Sequence, residues 1–197
     1  MPSLPPVTKA LILICVGIFC AQLLLPPMFE SLLALWPLGS GRFFPWQVVT
    51  YSFLHGAPAH LFFNMLALWM FGAEIERLWG AKRYMQFLLA SALSAAMVQL
   101  LWTFVAGSNA PTVGASGATF GLLLAFGMLF PNRTIMPLFP PIPMKAKVFV
   151  AIFGALELIL GVTGGSGIAH FAHLGGMLGG FLMIRYWRGQ SPFGRRH

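Results

Sequence analysis

Gly114-Ala115-Ser116-Gly117-Ala118-Thr119-Phe120-Gly121 follows an uncharged link containing Gly107, Ser108, Asn109 and Pro111, and opens into an apolar run that ends at Phe130. A polar link that gives way to such a run marks a helix start, here at about Ser116. A residue in the first helical turn has a backbone N–H with no acceptor inside the helix, and it sits at the positive end of the helix dipole. That is a good place to stabilise an oxyanion. Small residues at this spacing also let membrane helices pack closely, so the octapeptide alone supports both readings.

Outward from this stretch, composition sets the class. The chain of 197 residues is 58% hydrophobic and 8% charged, with a mean hydropathy of +0.81, which excludes an ordinary soluble domain. Apolar runs recur at residues 10–25, 61–73, 84–106, 116–130, 148–162 and 169–184. A span needs about 20 apolar residues, or fewer where neighbouring protein shields one end. The expected fold is all-α: a single polytopic membrane domain over residues 1–197, with six transmembrane helices at about 8–25, 59–77, 83–105, 116–130, 145–162 and 169–187. The first run ends at Pro26-Pro27 without an Ala-x-Ala cleavage pattern and reads as a retained helix. Cys15 and Cys20 lie inside it and read as packing groups.

Charge gives the expected orientation. With six spans, Lys9, Arg77, Lys82, Arg83, Arg133, Lys145, Lys147, Arg185, Arg188, Arg195 and Arg196 fall on one side, and of the 12 basic residues only Arg42 falls on the other. The positive-inside rule places both termini in the cytoplasm. A formal charge of +8 then needs no nucleic acid, because a surface facing anionic lipid accounts for it. The long outer connection, residues 26–58, is rich in aromatics and prolines, including Trp36, Phe43, Phe44, Trp46, Tyr51 and Phe53. It is expected to lie partly in the outer leaflet. The prolines of the loop after residue 130 (Pro137, Pro140, Pro141 and Pro143) predict a stiff connection.

Polar residues inside spans are functional hypotheses by default. His60 and Asn64, four apart, share a face of the second helix. Gly117 and Gly121, like Gly176 and Gly180, form small-residue faces that let the fourth and sixth helices touch. Ser91, Ser94, Ala95 and Ala96 read as close packing in the third helix. Counting from the cytoplasmic helix ends at about 1.5 Å per residue puts Ser116 about 21 Å deep, with His173 and Asn64 each about 18 Å deep. All three therefore occupy one level of a hydrocarbon core about 30 Å thick. A helix beginning at that depth requires a preceding loop buried in protein or lining a wet cavity.

Missing residues narrow the chemistry. The chain has no Asp, which removes an aspartyl dyad and a Ser-His-Asp triad, and no His-Glu-x-x-His metallopeptidase helix. Ser116 with His173 remains, the imidazole taking the serine proton. The ring is then expected to be oriented by something other than a carboxylate, and Phe120 can do so by stacking. No metal and no cofactor are expected. Glu157, the acid well inside a span, reads as a buried hydrogen-bonding group or a residue near a moving fifth helix. His55 and His170 read as local hydrogen-bonding or interface residues, and His197 as tail.

Together, Gly114-Ala115-Ser116-Gly117, His60-x-x-x-Asn64, Ala172-His173-x-x-Gly176-x-x-x-Gly180, Trp46-Gln47 and Glu76 resemble the rhomboid family of intramembrane serine proteases in its basic six-helix form. The resemblance implies Ser116 as nucleophile and His173 as general base. It assigns His60, Asn64 and the Ser116 N–H to the oxyanion hole. Phe120 stands where many members stack a Tyr on the catalytic His, and Gln47 where many carry Arg. It also implies substrates that are proteins with one membrane span, cut near the outer face in a bacterial inner membrane. The rival reading is a non-catalytic scaffold that binds transmembrane segments.

Overall fold

The structure, a computed structural model, describes residues 3–138, 141–164 and 169–190. Pro140, Arg195, Arg196 and His197 lie outside the described residues.

Helix α1 (Pro6–Leu24) begins earlier than its apolar run. Proline suits a first helical turn, and the Glu76 carboxylate caps the orphan donors there. Its Oε1 accepts from the Val7 N–H at 2.9 Å, and its Oε2 from the Thr8 N–H and hydroxyl at 2.7 Å each. The connection that follows is not a plain loop. It contains α2 (Pro26–Leu33) and α3 (Gln47–Thr50), with short 3-10 turns at Leu38–Ser40 and Tyr51–Phe53.

Helix α4 (Pro58–Ala67) passes through a π segment (Leu68–Gly72) into α5 (Ala73–Ala106). Within α5, Gly80 adopts φ 75° and ψ 161°, a conformation that side chains other than glycine's resist. The chain reverses there, since Gly72 packs on Tyr84 and Trp79 on Phe87. In a straight helix Gly72 and Tyr84 would stand about 18 Å apart. One helical stretch thus forms two arms that pack against each other.

Helix α6 (Ser116–Leu129) leads into a two-residue antiparallel ladder of β1 (Thr134–Ile135) with β2 (Met144–Lys145), then α7 (Ala146–Thr163) and α8 (His170–Trp187). The main core lies around α6, where Leu122, Ala125 and Phe126 meet Phe71, Tyr84, Phe87, Val150 and Ile184. By length and composition α1, the α4–α5 stretch and α7 suit a membrane crossing, while α6 is a shorter apolar helix. The outer surface carries exposed Leu24, Phe62, Met97, Phe104, Ile159 and Val162, as expected of a lipid-facing belt. The chain is an integral membrane protein.

Basic residues gather at one end. Arg77 donates to the Ser3 carbonyl at 3.0 Å beside the start of α1, and Arg133 pairs with Glu74. Arg83 lies 5.8 Å over the Trp187 ring at the end of α8.

Candidate active site

Close helix contact creates the site. A methyl group added at Gly176 would overlap the Gly117 carbonyl, and one at Gly121 would lie 3.0 Å from the Gly176 carbonyl oxygen. These two helices therefore meet backbone to backbone, which only glycine allows. On α8, Gly175 and Gly179 repeat the device toward α5, where Ser91, Ser94 and Ala95 receive them. His173 stands one turn before Gly176 and consequently faces the first turn of α6. Its Nε2 is 2.8 Å from Ser116 Oγ. The Phe120 ring stacks on the imidazole with centroids 4.2 Å apart and planes at 6°.

The α4 residues reach the same place. Gly114 has φ 129°, and a Cβ there would fall 2.7 Å from His60 Nε2, so the missing side chain admits this ring beside Ser116. Asn64 is buried; its Nδ2 donates to the His60 carbonyl at 2.9 Å, and its Oδ1 accepts from Thr119 Oγ1 at 3.1 Å. Thr119 Oγ1 is also 3.1 Å from the Ser116 carbonyl. Thr119 is thus a bridge between Asn64 and the Ser116 turn that the sequence reading overlooked. Its position one turn after Ser116 was the available signal. Ser116, His173, His60, Asn64 and Phe120 form one cluster.

The connection between α1 and α4 holds the start of α6. Leu35 and Thr112 exchange two backbone hydrogen bonds of 2.9 Å, Gly114 N–H donates to the Tyr51 carbonyl at 2.9 Å, and Tyr51 hydroxyl donates to Ala92 O at 2.9 Å. Thr112, Gly114 and Ala115 are buried, so the last residues before α6 are covered by protein, while Gly107, Asn109 and Ala110 are exposed. Gln47 organises this segment: Oε1 accepts from Trp36 N at 3.3 Å and Phe44 N at 3.2 Å, while Nε2 donates to the carbonyls of Arg42 and Leu32. His55, beside His60 with ring centroids 5.2 Å apart, is fully enclosed. Burial, and then the charge of His60, pushes its pKa down to about 4, which keeps it neutral.

One expectation fails. The imidazole of His173 does meet a carboxylate: Glu157 Oε2 on α7 is 2.8 Å from His173 Nδ1 and 2.6 Å from His170 Nδ1. The contact joins two helices whose relative rotation no local pattern encodes, so the chain's sequence offers Glu157 as a buried hydrogen-bonding group without naming its partner. These three residues are also the group among the described residues that could hold a metal ion, with donor atoms within 4.8 Å of one another. Their separations are those of hydrogen bonds. Tetrahedral zinc ligands at about 2.0–2.1 Å from the metal would stand about 3.3 Å apart.

Known proteins give the arrangement a family. The sequence matches the family model described as the Rhomboid domain over residues 42–189. It is 34% identical over 139 residues to Rhomboid protein 1, mitochondrial, of Saccharomyces cerevisiae, covering 69% of this chain and 40% of that protein. It is 32% identical over 143 residues to Rhomboid protease GluP of Bacillus subtilis, covering 69% of this chain and 25% of that one. Rhomboid protease GlpG of Yersinia pestis is 27% identical over 186 residues, with 92% of this chain and 62% of the relative covered. The chain belongs to the rhomboid family. It spans less than two thirds of the length of each of these relatives.

Proposed function

We propose that this protein is an intramembrane serine endopeptidase that cleaves transmembrane segments of single-span proteins. The observation that carries this reading is the 2.8 Å contact between Ser116 Oγ and His173 Nε2, under a stacked Phe120, in a rhomboid-family chain. Ser116 Oγ attacks the scissile carbonyl as His173 Nε2 takes its proton. Negative charge develops on the carbonyl oxygen, and the Ser116 N–H, the Asn64 amide and His60 serve in this reading as its donors. The imidazolium then protonates the departing amine, and water releases the acyl group by the same steps in reverse order. Helices are weak where they contain Gly or Pro, so substrate spans with such residues unwind into the site most readily.

The gathered basic ends support a cytoplasmic location for both termini. GluP of Bacillus subtilis and GlpG of Yersinia pestis support a bacterial membrane, and Rhomboid protein 1, mitochondrial, of Saccharomyces cerevisiae supports a mitochondrial one. The purified protein should cut a single-span test substrate near its outer membrane boundary. Ser116→Ala and His173→Ala should each lose nearly all turnover, and the double variant should lose little more, because the pair acts as one unit. Both variants should still retain the substrate on co-purification. Cleavage by Ser116→Ala at the parent rate would remove Ser116 as the nucleophile, whereas a parent that retains the substrate without cutting it would leave a scaffold that only binds such segments.

A further inference from the structure

Glu157 has no part in a two-residue mechanism, yet it is buried on the face of α7 that meets α8, while its chain neighbours Leu156, Leu158, Ile159 and Leu160 are exposed on the outside of the helix. An ionised carboxylate in such a helix is costly unless paired and hydrogen-bonded. Its contacts are specific. His170 and His173 lie three apart on α8 and therefore on one face, and both present Nδ1 to the same oxygen, Oε2. An ionised carboxylate only accepts hydrogen bonds, so both imidazoles donate from Nδ1. For His173 this has a consequence on the far side of the ring. With the proton on Nδ1, Nε2 carries the lone pair, and Nε2 is the atom 2.8 Å from Ser116 Oγ.

From this geometry, and resting on the protease reading above, we infer that Glu157 is the positioning residue of a Ser116–His173–Glu157 triad, held in place by His170. The proton balance is closed. When the Oγ–carbon bond forms, the carbonyl π pair moves to oxygen and the hydroxyl proton moves to Nε2. The imidazolium now donates from both nitrogens, to the reacting centre and to Glu157. When the carbon–nitrogen bond breaks, Nε2 returns the proton to the amine. Glu157 stays ionised throughout, and its charge stabilises the imidazolium only while that ion exists. His170 fixes the carboxylate so that one oxygen remains aimed at the catalytic ring. Phe120 supports the ring plane by stacking, while Glu157 sets its rotation and tautomer.

Isostere and charge can be separated. Glu157→Gln keeps the shape and loses the charge, whereas Glu157→Asp keeps the charge and loses one methylene. For a positioning carboxylate, kcat should fall by roughly 10²- to 10⁴-fold in Glu157→Gln with KM little changed. Glu157→Asp should recover a measurable part of that loss. A merely structural role predicts the opposite order, because the isostere packs better, and that order would overturn the inference. Histidine ¹⁵N NMR of the intact parent protein supplies a readout that does not depend on any variant at Glu157 folding. His173, assigned by loss of its signal in His173→Gln, should carry its proton on Nδ1 at neutral pH, and a proton on Nε2 would sink the proposal. Zinc that co-purifies in equal amount with the parent, and is lost in Glu157→Gln, would replace the triad with a metal site. A parent that neither cleaves nor reacts with a fluorophosphonate removes the protease reading itself. A parent that does both, alongside an equally active Glu157→Gln, removes only the role of Glu157.

Discussion

Ser116 and Asn64 are examples of side chains whose value depends on what fixes them. The Asn64 amide has two N–H groups; one is committed to the His60 carbonyl, and its oxygen is held by Thr119. The remaining N–H therefore has a defined direction, as a preorganised oxyanion donor must. If it serves that role, Asn64→Ala should lower kcat by roughly 10²- to 10³-fold while leaving the unfolding midpoint nearly unchanged. Some activity should persist through His60 and the Ser116 N–H. Turnover equal to the parent would show that Asn64 only ties α4 to α6. The i, i+4 pairing of His60 with Asn64 was legible in the sequence, because helical geometry fixes it. Thr119 was legible only as a helical residue. Whether its hydroxyl turns to its own Ser116 carbonyl or also across to Asn64 is decided by the neighbouring helix.

At the scale of elements, α6 and α8 are the pair on which the site depends. Their contact is so close that a methyl group at Gly176 has nowhere to go, since the obstacle is the Gly117 backbone and not a side chain able to swing aside. Gly176→Ala should therefore push the helices apart, lengthen the Ser116–His173 contact and destabilise the protein by about 1–3 kcal/mol or more. Fluorophosphonate labelling of Ser116 should fall with it. Gly17→Ala is the matched control, because a Cβ there meets nothing within 4 Å. It should leave labelling intact and stability unchanged or slightly raised. If both substitutions have the same effect in detergent unfolding and labelling, helix separation is not set by these glycines. The glycine spacing on α6 and α8 could be read directly. So could the meeting of the Gly176–Gly180 face with α6; that Gly175 and Gly179 give α8 a second such face against α5 could not, because the partner of a small-residue face is set by how the helices are arranged.

For the whole molecule, the charge distribution and the packing agree on one end. Glu76 caps α1, Glu74 pairs with Arg133, and Arg83 lies over Trp187, so the start of α1 and the ends of later crossings share a face. If that face is cytoplasmic, then in a cysteine-less background Lys82→Cys should react with a membrane-impermeant maleimide only after permeabilisation. Arg42→Cys should react from outside without it. The reverse pattern would invert the orientation and place the candidate site near the other surface.

By itself the sequence determined the membrane class, the apolar helices, the clustering of basic residues and the common level of Ser116, His173 and Asn64. Each of these follows from composition or from a fixed rise per residue, and so needs no partner. The tertiary structure decided the rest. It turned the connection between α1 and α4 into short helices braced by Gln47, and Tyr51 and Leu35 of that connection hold the link before α6. It also turned Glu157 of α7 toward His173 and His170. A helical sequence gives the depth of a side chain and its angle relative to its own neighbours, but not the rotation of one helix against another. That rotation is set by the summed packing of glycine faces and apolar ridges over the bundle, and it places the carboxylate on the catalytic ring.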